Sequence, residues 1–347
     1  MPERVLVVAP NWLGDAVMGL PALADIRRAH PAARLVVSAR ASVAPLYAMV
    51  PGVDATLVTR WRGSMLDRRA LNDDVQRMAA EQFDRAILFP NSFASAWAVR
   101  LARAADRWGY SADLRRPLLT RAIRRPRGSR HQGVYYQHLV RELGIENGPL
   151  EPVVTVPAPA IEEARSLLIA RGWTESRPLL VVAPGAAYGT AKRWLPTYFA
   201  AMITRAIRET GVHAVLVGAS ADQRSTRLVL ESIDPAARAA VADLTGATSL
   251  EALAGVMSLA AACVSNDSGA MHLAGAVGTP LAAIFGPTRE RETAPLTRQG
   301  GRAEVLINPI WCRPCMLREC PFDHQCMTRL RPERVFESVR LLMGIRT

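Results

Sequence analysis

The feature that most constrains the fold is an alternation of short apolar runs with stretches of helical spacing. The runs at residues 5–9 and 85–89 have the composition of buried strands, and residues 15–29 carry apolar side chains at helical intervals. Further strands are predicted at 35–38 and 55–58. Strands that alternate with helices are typical of a parallel sheet covered by helices, so we predict an α/β fold.

The alternation is interrupted at residues 149–159 (PLEPVVTVPAP), where four prolines and the lack of helical spacing predict a stiff, extended linker. A second set follows, with strands predicted at 179–183, 215–217, 262–266 and 281–285 and helices at 161–170, 195–208, 250–260 and 270–276. The 347 residues suffice for two domains, each with its own core. We predict an N-terminal domain over 1–155, a C-terminal domain over 156–330, and a closing helix over 331–347 that packs near the domain junction.

The composition limits where the protein works and what it binds. No apolar run approaches the roughly 18 to 20 residues of a membrane-spanning helix, and the first residues lack the pattern of a signal peptide, so we expect a cytoplasmic protein. The net charge of +12 favours an anionic partner or reflects a composition rich in arginine. Nucleic acid is not expected, because no recognition-helix motif or aromatic platform accompanies the arginines.

One basic residue differs from all the others. Of 43 lysines and arginines, only Lys192 is lysine, which leaves 42 arginines. Lysine presents a compact ammonium on a flexible stem, whereas arginine presents a planar fork. The exception predicts a position that a guanidinium cannot fill.

The loop after the first predicted strand, residues 10–15, ends in Gly14 and Asp15. Gly14 would permit a tight turn, and Asp15 would stand at the start of the next helix. A carboxylate at that edge of the sheet is well placed for a general base. The alternative is that Asp15 only caps the helix, since Asp is a preferred N-cap residue.

The loop after strand 179–183 contains two glycines, small residues and the pair Lys192 and Arg193. Its backbone amides could approach an anion closely, and the two cations would lie at the start of the following helix. The order G-x-x-x-x-G-K-[ST] of a P-loop is absent, and no G-x-G-x-x-G follows a strand.

The segment at residues 264–274 (VSNDSGAMHLA) is the most specific pattern in the chain. A strand ends in small polar residues and a glycine, and a helix begins. Free amides and the partial positive charge of a helix N-terminus form a diphosphate site, and His272 lies one turn further on. The alternative is an ordinary helix start with His272 packed against a neighbour.

These motifs together resemble the bacterial lipopolysaccharide heptosyltransferases, with the heptosyltransferase II group the most similar. The resemblance covers nearly the whole chain and is most specific at 266–288, which includes Gly278-Thr279-Pro280 and Phe285-Gly286-Pro287-Thr288. It implies a GT-B fold, two Rossmann-like domains facing across a cleft, with acceptor binding in the first and nucleotide-sugar binding in the second. It also implies an inverting enzyme of a Gram-negative bacterium that transfers heptose from ADP-L-glycero-β-D-manno-heptose to the inner-core heptose of Kdo-lipid A.

The resemblance assigns roles to individual residues. Asp15 becomes the candidate base, and Lys192 becomes a catalytic contact to the donor diphosphate or to the negative charge that develops in the reaction. Asp222 stands where related enzymes often have an acidic residue that reaches the nucleoside ribose. The family pattern leads us to expect Glu at this position, so the sequence departs from it here. The predicted donor-binding residues are Gly14, Tyr188, Asp222, Asp267, Ser268, Gly269 and His272. Because the sequence has no Asp-x-Asp, we expect catalysis without a metal or other cofactor, with Lys192 and the helix start in its place.

The arginine-rich stretch at residues 115–131, together with arginines near residue 60, could meet phosphates and carboxylates of a lipid acceptor. The predicted acceptor-binding residues are Arg60, Arg62, Arg116 and Arg124. The alternative is a solvated charged loop. We expect peripheral, salt-sensitive association with the inner-membrane surface.

Four of the five cysteines, Cys312, Cys315, Cys320 and Cys326, fall within 15 positions, with His324 nearby. Such density in a cytosolic chain suggests a structural metal more readily than disulfides, but the spacing is irregular for a zinc ribbon. A metal, reduced thiols in a tight loop and disulfides all remain open.

Three other functions remain open at this stage. One is a related GT-B transferase with another nucleotide sugar or core acceptor. The second is a non-catalytic protein that binds nucleotide sugar or lipopolysaccharide. The third is a sugar-nucleotide epimerase of similar fold.

Overall fold

The computed structural model describes residues 2–64 and 66–345. The chain divides into two compact units between Thr155 and Val156. Each unit has its own six-stranded sheet in which all neighbouring strands are parallel. The predicted α/β architecture is therefore present in both halves.

The first unit has strands in the order β3-β2-β1-β4-β5-β6. Its strands are β1 (Arg4–Val8), β2 (Arg34–Arg40), β3 (Ala55–Thr59), β4 (Arg85–Leu88), β5 (Asp106–Tyr110) and β6 (Arg121–Ile123). Its helices are α1 (Leu13–Met18), α2 (Leu20–Ala29), α3 (Ala44–Ala48), α4 (Arg68–Ala80), α5 (Phe93–Leu101) and α6 (Gln132–Glu142).

The helix predicted over residues 15–29 is two helices, and a proline explains the difference. Pro21 lies in the first turn of α2. Proline has no N–H to donate to the preceding turn, and it is tolerated where a helix begins. The chain therefore ends α1 at Met18 and begins α2 at Leu20.

The second unit has strands in the order β12-β11-β10-β7-β8-β9. Its strands are β7 (Leu179–Ala183), β8 (His213–Leu216), β9 (Val241–Asp243), β10 (Ala262–Asn266), β11 (Leu281–Phe285) and β12 (Ala303–Ile307). Its helices are α7 (Ala158–Ile169), α8 (Pro196–Thr210), α9 (Gln223–Ser232), α10 (Leu250–Ser258), α11 (Gly269–Val277), α12 (Glu290–Thr293), α13 (Gln325–Thr328) and α14 (Pro332–Leu342).

The closing helix α14 buries Val335, Phe336 and Val339 completely in the core of the second unit. It packs on α8 and on strands β10 and β11. Its expected place near the domain junction stays a prediction. Helix α7 begins at Ala158, inside the predicted linker, because Pro159 is compatible with a first helical turn.

Read from the edge strand β3 or β9, both sheets have the strand order 3-2-1-4-5-6. In this order the direction of winding reverses between the first and fourth strands, and ligands bind beyond the carboxyl ends of those strands. The loops after β7 and β10 occupy that position in the second unit, as those after β1 and β4 do in the first. No helix among the described residues is long and apolar enough to span a membrane.

Candidate functional site

The loops after β7, β10 and β11 meet at one acidic side chain, Asp267. The Lys192 ammonium lies 2.6 Å from Oδ2 of Asp267, and the Thr288 hydroxyl donates to the same oxygen over 2.6 Å. The Asp267 side chain is 4% exposed and that of Lys192 14% exposed. The pair is therefore shielded from water. At such a buried position, removing one partner leaves the charge of the other uncompensated. We call these three residues the lysine network.

Asn266 fixes the loop that carries Lys192. Its side chain is fully buried at the end of β10; Nδ2 donates to the Pro184 carbonyl over 2.8 Å, and Oδ1 accepts from the Trp194 amide over 3.0 Å. Both ends of the loop that follows β7 are thus tied to β10. Lys192 itself ends a short 3-10 turn over Thr190–Lys192.

Helix α11 begins directly after Asp267. The Ser268 hydroxyl caps the helix by accepting from the Met271 amide, and it lies 3.1 Å from the Ser265 hydroxyl. Gly269 is the first helical residue. His272 is 3% exposed and is enclosed within the unit. A capped helix N-terminus therefore lies beside the lysine network, as the sequence predicts.

Two further predicted donor residues lie at the same end of the sheet. Asp222 accepts from the Ala219 amide over 3.1 Å and lies against Gly185, where a Cβ would come within 2.3 Å of the carboxylate. Tyr188 is 38% exposed, and its ring centroid is 5.1 Å from the Lys192 ammonium. The structure thus brings Tyr188, Lys192, Asp222, Asp267 and Ser268 to the carboxyl ends of one sheet.

Arg318, which no sequence motif singles out, also lies here, with its guanidinium 5.2 Å from the Tyr188 ring centroid. Arg318 is far along the chain and belongs to an irregular loop. No periodicity or motif signals its place, because the approach depends on how that loop folds back on the β7 loop.

In the first unit, Asp15 is the third residue of α1 and is half-buried. The N-cap residue is Trp12, which makes no side-chain cap bond, so the interpretation of Asp15 as the cap is wrong. The expected tight turn at Gly14 is also wrong, because Gly14 is helical and lacks a positive φ. Burial raises the pKa of Tyr136, and the nearby Asp15 carboxylate raises it further.

The first unit holds a cavity of about 300 Å³ beyond the carboxyl ends of β1 to β4. Polar residues in its lining include Asn11, Ser38, Arg40, Thr59, Arg62, Ser92 and Ser95. Asp74, which also lines it, is buried and accepts from the amides of Arg60 and Trp61. Of the predicted acceptor residues, Arg62 lines the cavity. Arg60, two positions earlier in the chain, is exposed and is not among the lining residues.

Arg116 and Arg124 are exposed and lie outside the lining of this cavity. Within the same stretch, Arg115 is fully buried and donates to the carbonyls of Tyr110 and Pro90. Burial lowers the pKa of the Arg115 guanidinium to about 10. The interpretation of the whole stretch as an anion-binding surface is therefore wrong at Arg115, which ties β5 to the β4 loop.

All five cysteines are free, which excludes the disulfide alternative. The four clustered cysteines and His324 line one cavity of about 130 Å³. Burial raises the pKa of the Cys326 thiol to about 11. Within residues 2–64 and 66–345, no group of three or more His, Cys, Asp or Glu side chains has the geometry to hold a metal ion.

Elemental analysis of protein purified without chelator is expected to find no stoichiometric metal, because the spacing of the thiols is irregular and the catalysis expected from the sequence needs no metal. Thiols that bind a structural metal would hold about one equivalent, and chelation would then lower the melting temperature. A Cys312→Ser, Cys315→Ser double variant is the control. A zinc or iron signal that disappears in this variant would establish a metal site.

Comparison with known proteins identifies the family of the chain. The model of glycosyltransferase family 9 (heptosyltransferase) matches residues 74–325, well over half of the chain. The chain belongs to glycosyltransferase family 9. It is therefore a glycosyltransferase, and the family resemblance predicted from the motifs is confirmed.

Relatives in this family align with nearly the whole length of the chain. Lipopolysaccharide heptosyltransferase 2 of Salmonella typhimurium is 28% identical over 98% of this chain and 99% of its own. Lipooligosaccharide heptosyltransferase 2 of Haemophilus ducreyi is also 28% identical, over the same shares. The solved structure of the Escherichia coli ADP-heptose lipopolysaccharide heptosyltransferase II is 25% identical, covers 98% of both chains and superposes with a TM-score of 0.82. The predicted GT-B fold is confirmed.

Proposed function

We propose that this family 9 glycosyltransferase transfers heptose from ADP-heptose to the inner-core heptose of Kdo-lipid A, with inversion at the anomeric carbon. The observation that carries the proposal is the lysine network beside the N-terminus of α11, at the reversal point of the second sheet. The names of the relatives supply the donor and acceptor classes.

The proposed donor site suits a diphosphate for two reasons. The amides that begin α11 and the partial positive charge of the helix favour an anion. Lys192 has three N–H donors, so it can donate to Asp267 and still donate to a phosphate oxygen. Preorganised donors of this kind stabilise the negative charge that develops on a departing diphosphate. Asp222, which lies against Gly185, is proposed to accept from a ribose hydroxyl.

Asp15 is the proposed general base. As the acceptor hydroxyl attacks the anomeric carbon, its proton passes to the Asp15 carboxylate, and the bond from that carbon to the diphosphate breaks on the opposite face. The attacking oxygen thereby replaces ADP with inversion. The half-buried position of Asp15 at the carboxyl end of β1 supports this role.

The cavity of the first unit is proposed to receive the acceptor sugars. Its volume of about 300 Å³ suits one sugar residue or two, and small hydroxyl and amide groups line it. The guanidinium groups of Arg40 and Arg62 would pair with a carboxylate or phosphate of the core, because arginine recognises such groups with two parallel hydrogen bonds.

The test is ADP release from ADP-heptose, measured with a heptose-truncated Kdo-lipid A acceptor and without it. We expect release that depends on this acceptor. Turnover with a different nucleotide sugar or core acceptor would redirect the proposal to a related transferase. Binding without turnover on any acceptor would mean that the site only holds its ligand.

Association with anionic membranes is proposed to run through the exposed arginines of the first unit, which include Arg116, Arg124, Arg125, Arg127 and Arg130. We expect a high-salt wash to release most of the protein from inner membranes, because the Debye length falls from about 10 Å at 0.1 M salt to about 3 Å at 1 M. An Arg124→Gln, Arg127→Gln variant should be released at lower salt. The matched control is Arg208→Gln, Arg227→Gln, which removes two exposed charges from the second unit. Retention after the wash would contradict electrostatic association.

A further inference from the structure

The segment at residues 311–324, between β12 and α13, has no role in the proposed reaction, yet it contacts two of the three loops that build the lysine network. We call it the cysteine loop, since it carries Cys312, Cys315 and Cys320. It has no helix or strand of its own. Its conformation therefore depends on side-chain and backbone contacts with its neighbours, and these contacts lead to Lys192 and Thr288.

The first set of contacts holds the turn that ends in Lys192. Nε2 of His324 lies 2.7 Å from the Ala191 carbonyl, and because a carbonyl only accepts, Nε2 carries the proton and donates. The Ala191 amide donates to the Arg318 carbonyl over 2.9 Å. A Cβ at Gly189 would lie 2.3 Å from that same carbonyl, so the two backbones are in close contact. Both polar backbone groups of the residue before Lys192 are thus held by the cysteine loop.

The second set holds the segment that carries Thr288. Arg313 is 7% exposed and donates to the carbonyls of Gly286 over 2.9 Å and Thr288 over 3.3 Å. Its guanidinium also pairs with Glu290 at 2.9 Å. The Met316 amide donates to the Pro287 carbonyl over 3.0 Å. One loop therefore fixes the backbone on both sides of Asp267.

We propose that His324 is a positioning residue of the donor site, which holds the Lys192 ammonium in place through the Ala191 carbonyl. The inference rests on the proposed function, because it assigns Lys192 to the donor diphosphate. A displacement of about 1 Å in a positioned group can cost about 10²-fold in rate. The His324 imidazole holds the Ala191 carbonyl, whereas the Arg318 carbonyl holds the Ala191 amide and Asp267 holds the Lys192 ammonium.

Replacing His324 with asparagine or with glutamine distinguishes the role of its hydrogen bond from that of its unusual backbone conformation. His324 has a φ of 55°, in the left-handed region that asparagine tolerates better than most residues. His324→Asn suits this backbone, but its shorter side chain cannot reach the Ala191 carbonyl. His324→Gln places an N–H near the position of Nε2 and fits the backbone less well.

We expect His324→Asn to weaken ADP binding and to lower kcat/KM by about tenfold, the scale of one lost hydrogen bond to a partly buried group. His324→Gln should restore most of that loss. Calorimetric titration with ADP and separate values of kcat and KM are the measurements, and Glu319→Gln, an exposed change in the same loop, is the control. If ADP affinity and kcat/KM instead follow the melting temperatures, with His324→Gln lower than His324→Asn in all three, then His324 has a structural role only and the inference is wrong.

A second measurement leaves the His324 backbone unaltered. If the cysteine loop organises the donor site, nucleotide binding must in return stabilise the loop, because coupling between two sites is reciprocal. ADP should therefore slow the alkylation of Cys315, which is exposed, and of Cys312, which is half-buried. Cys263, fully buried in β10, reports global unfolding and is the internal control. Equal labelling rates with and without ADP would overturn the inference.

A Lys192→Ala variant shows whether only the inference fails or the proposed function fails as well. If Lys192→Ala weakens ADP binding and His324→Asn does not, only the positioning role is wrong. If Lys192→Ala binds ADP as tightly as the native chain, the proposed donor site is wrong and the positioning role falls with it.

Discussion

Replacing Asp15 with asparagine is expected to lower kcat by about 10² to 10⁴-fold, the usual effect of losing one general base. Affinity for ADP should stay close to that of the native chain, because the proposed donor contacts lie in the second unit. Asparagine keeps the shape and the position in the first turn of α1 but cannot take the acceptor proton. Steady-state ADP release and ADP titration calorimetry on the same preparation measure the two quantities.

The control for this variant is Asp73→Asn, which makes the same change at an exposed position in α4. It should leave both kcat and ADP affinity unchanged. If Asp15→Asn keeps more than about a third of the native kcat, well short of the loss expected for a base, then Asp15 does not take the proton.

Lys192→Arg is expected to lower kcat/KM nearly as far as Lys192→Ala, by about 10² to 10³-fold, the scale of one lost charge-stabilising donor. The ammonium binds a single carboxylate oxygen that it shares with the Thr288 hydroxyl. A planar guanidinium is larger and would have to move Asp267 or Thr288 to fit. Kinetics with ADP-heptose, alongside thermal unfolding, distinguish loss of chemistry from loss of fold.

Stability needs its own control, because Lys192→Ala leaves the Asp267 carboxylate buried beside Thr288 alone. Breaking a buried pair costs about 3 to 5 kcal/mol of unfolding free energy. A Lys192→Met, Asp267→Asn double variant removes both charges and should recover much of that stability while remaining inactive. Native activity in Lys192→Arg would show that the single lysine has no special role.

The strands that sequence reasoning located best are those buried on both faces. β7, β10 and β11 have the predicted bounds, since an unbroken apolar run bounded by turn residues leaves little alternative. β6 and β9, at the sheet edges, were missed because three residues with mixed polarity show no period. β12, also at an edge, has five residues, but its first two are exposed, so it shows no unbroken buried run.

The site was predictable as a set of residues and not as a geometry. Lys192 was selected by its rarity and Asp267 by the polar segment before a helix, and neither signal says that the two touch. Their contact depends on β7 and β10 being neighbours, which follows from the strand order. His324 and Arg313 were unpredictable as site residues, because an irregular loop places them through contacts that have no sequence period.

Each unit completes its own six-stranded sheet and encloses its own core, with Asp15 in one and Lys192 in the other. The lysine network and the lining of the larger cavity share no residue. Selection can therefore act on the two halves separately. Under the proposed function, substitutions that reshape the cavity would leave the proposed diphosphate site intact, so a lineage could acquire a new acceptor without changing its donor.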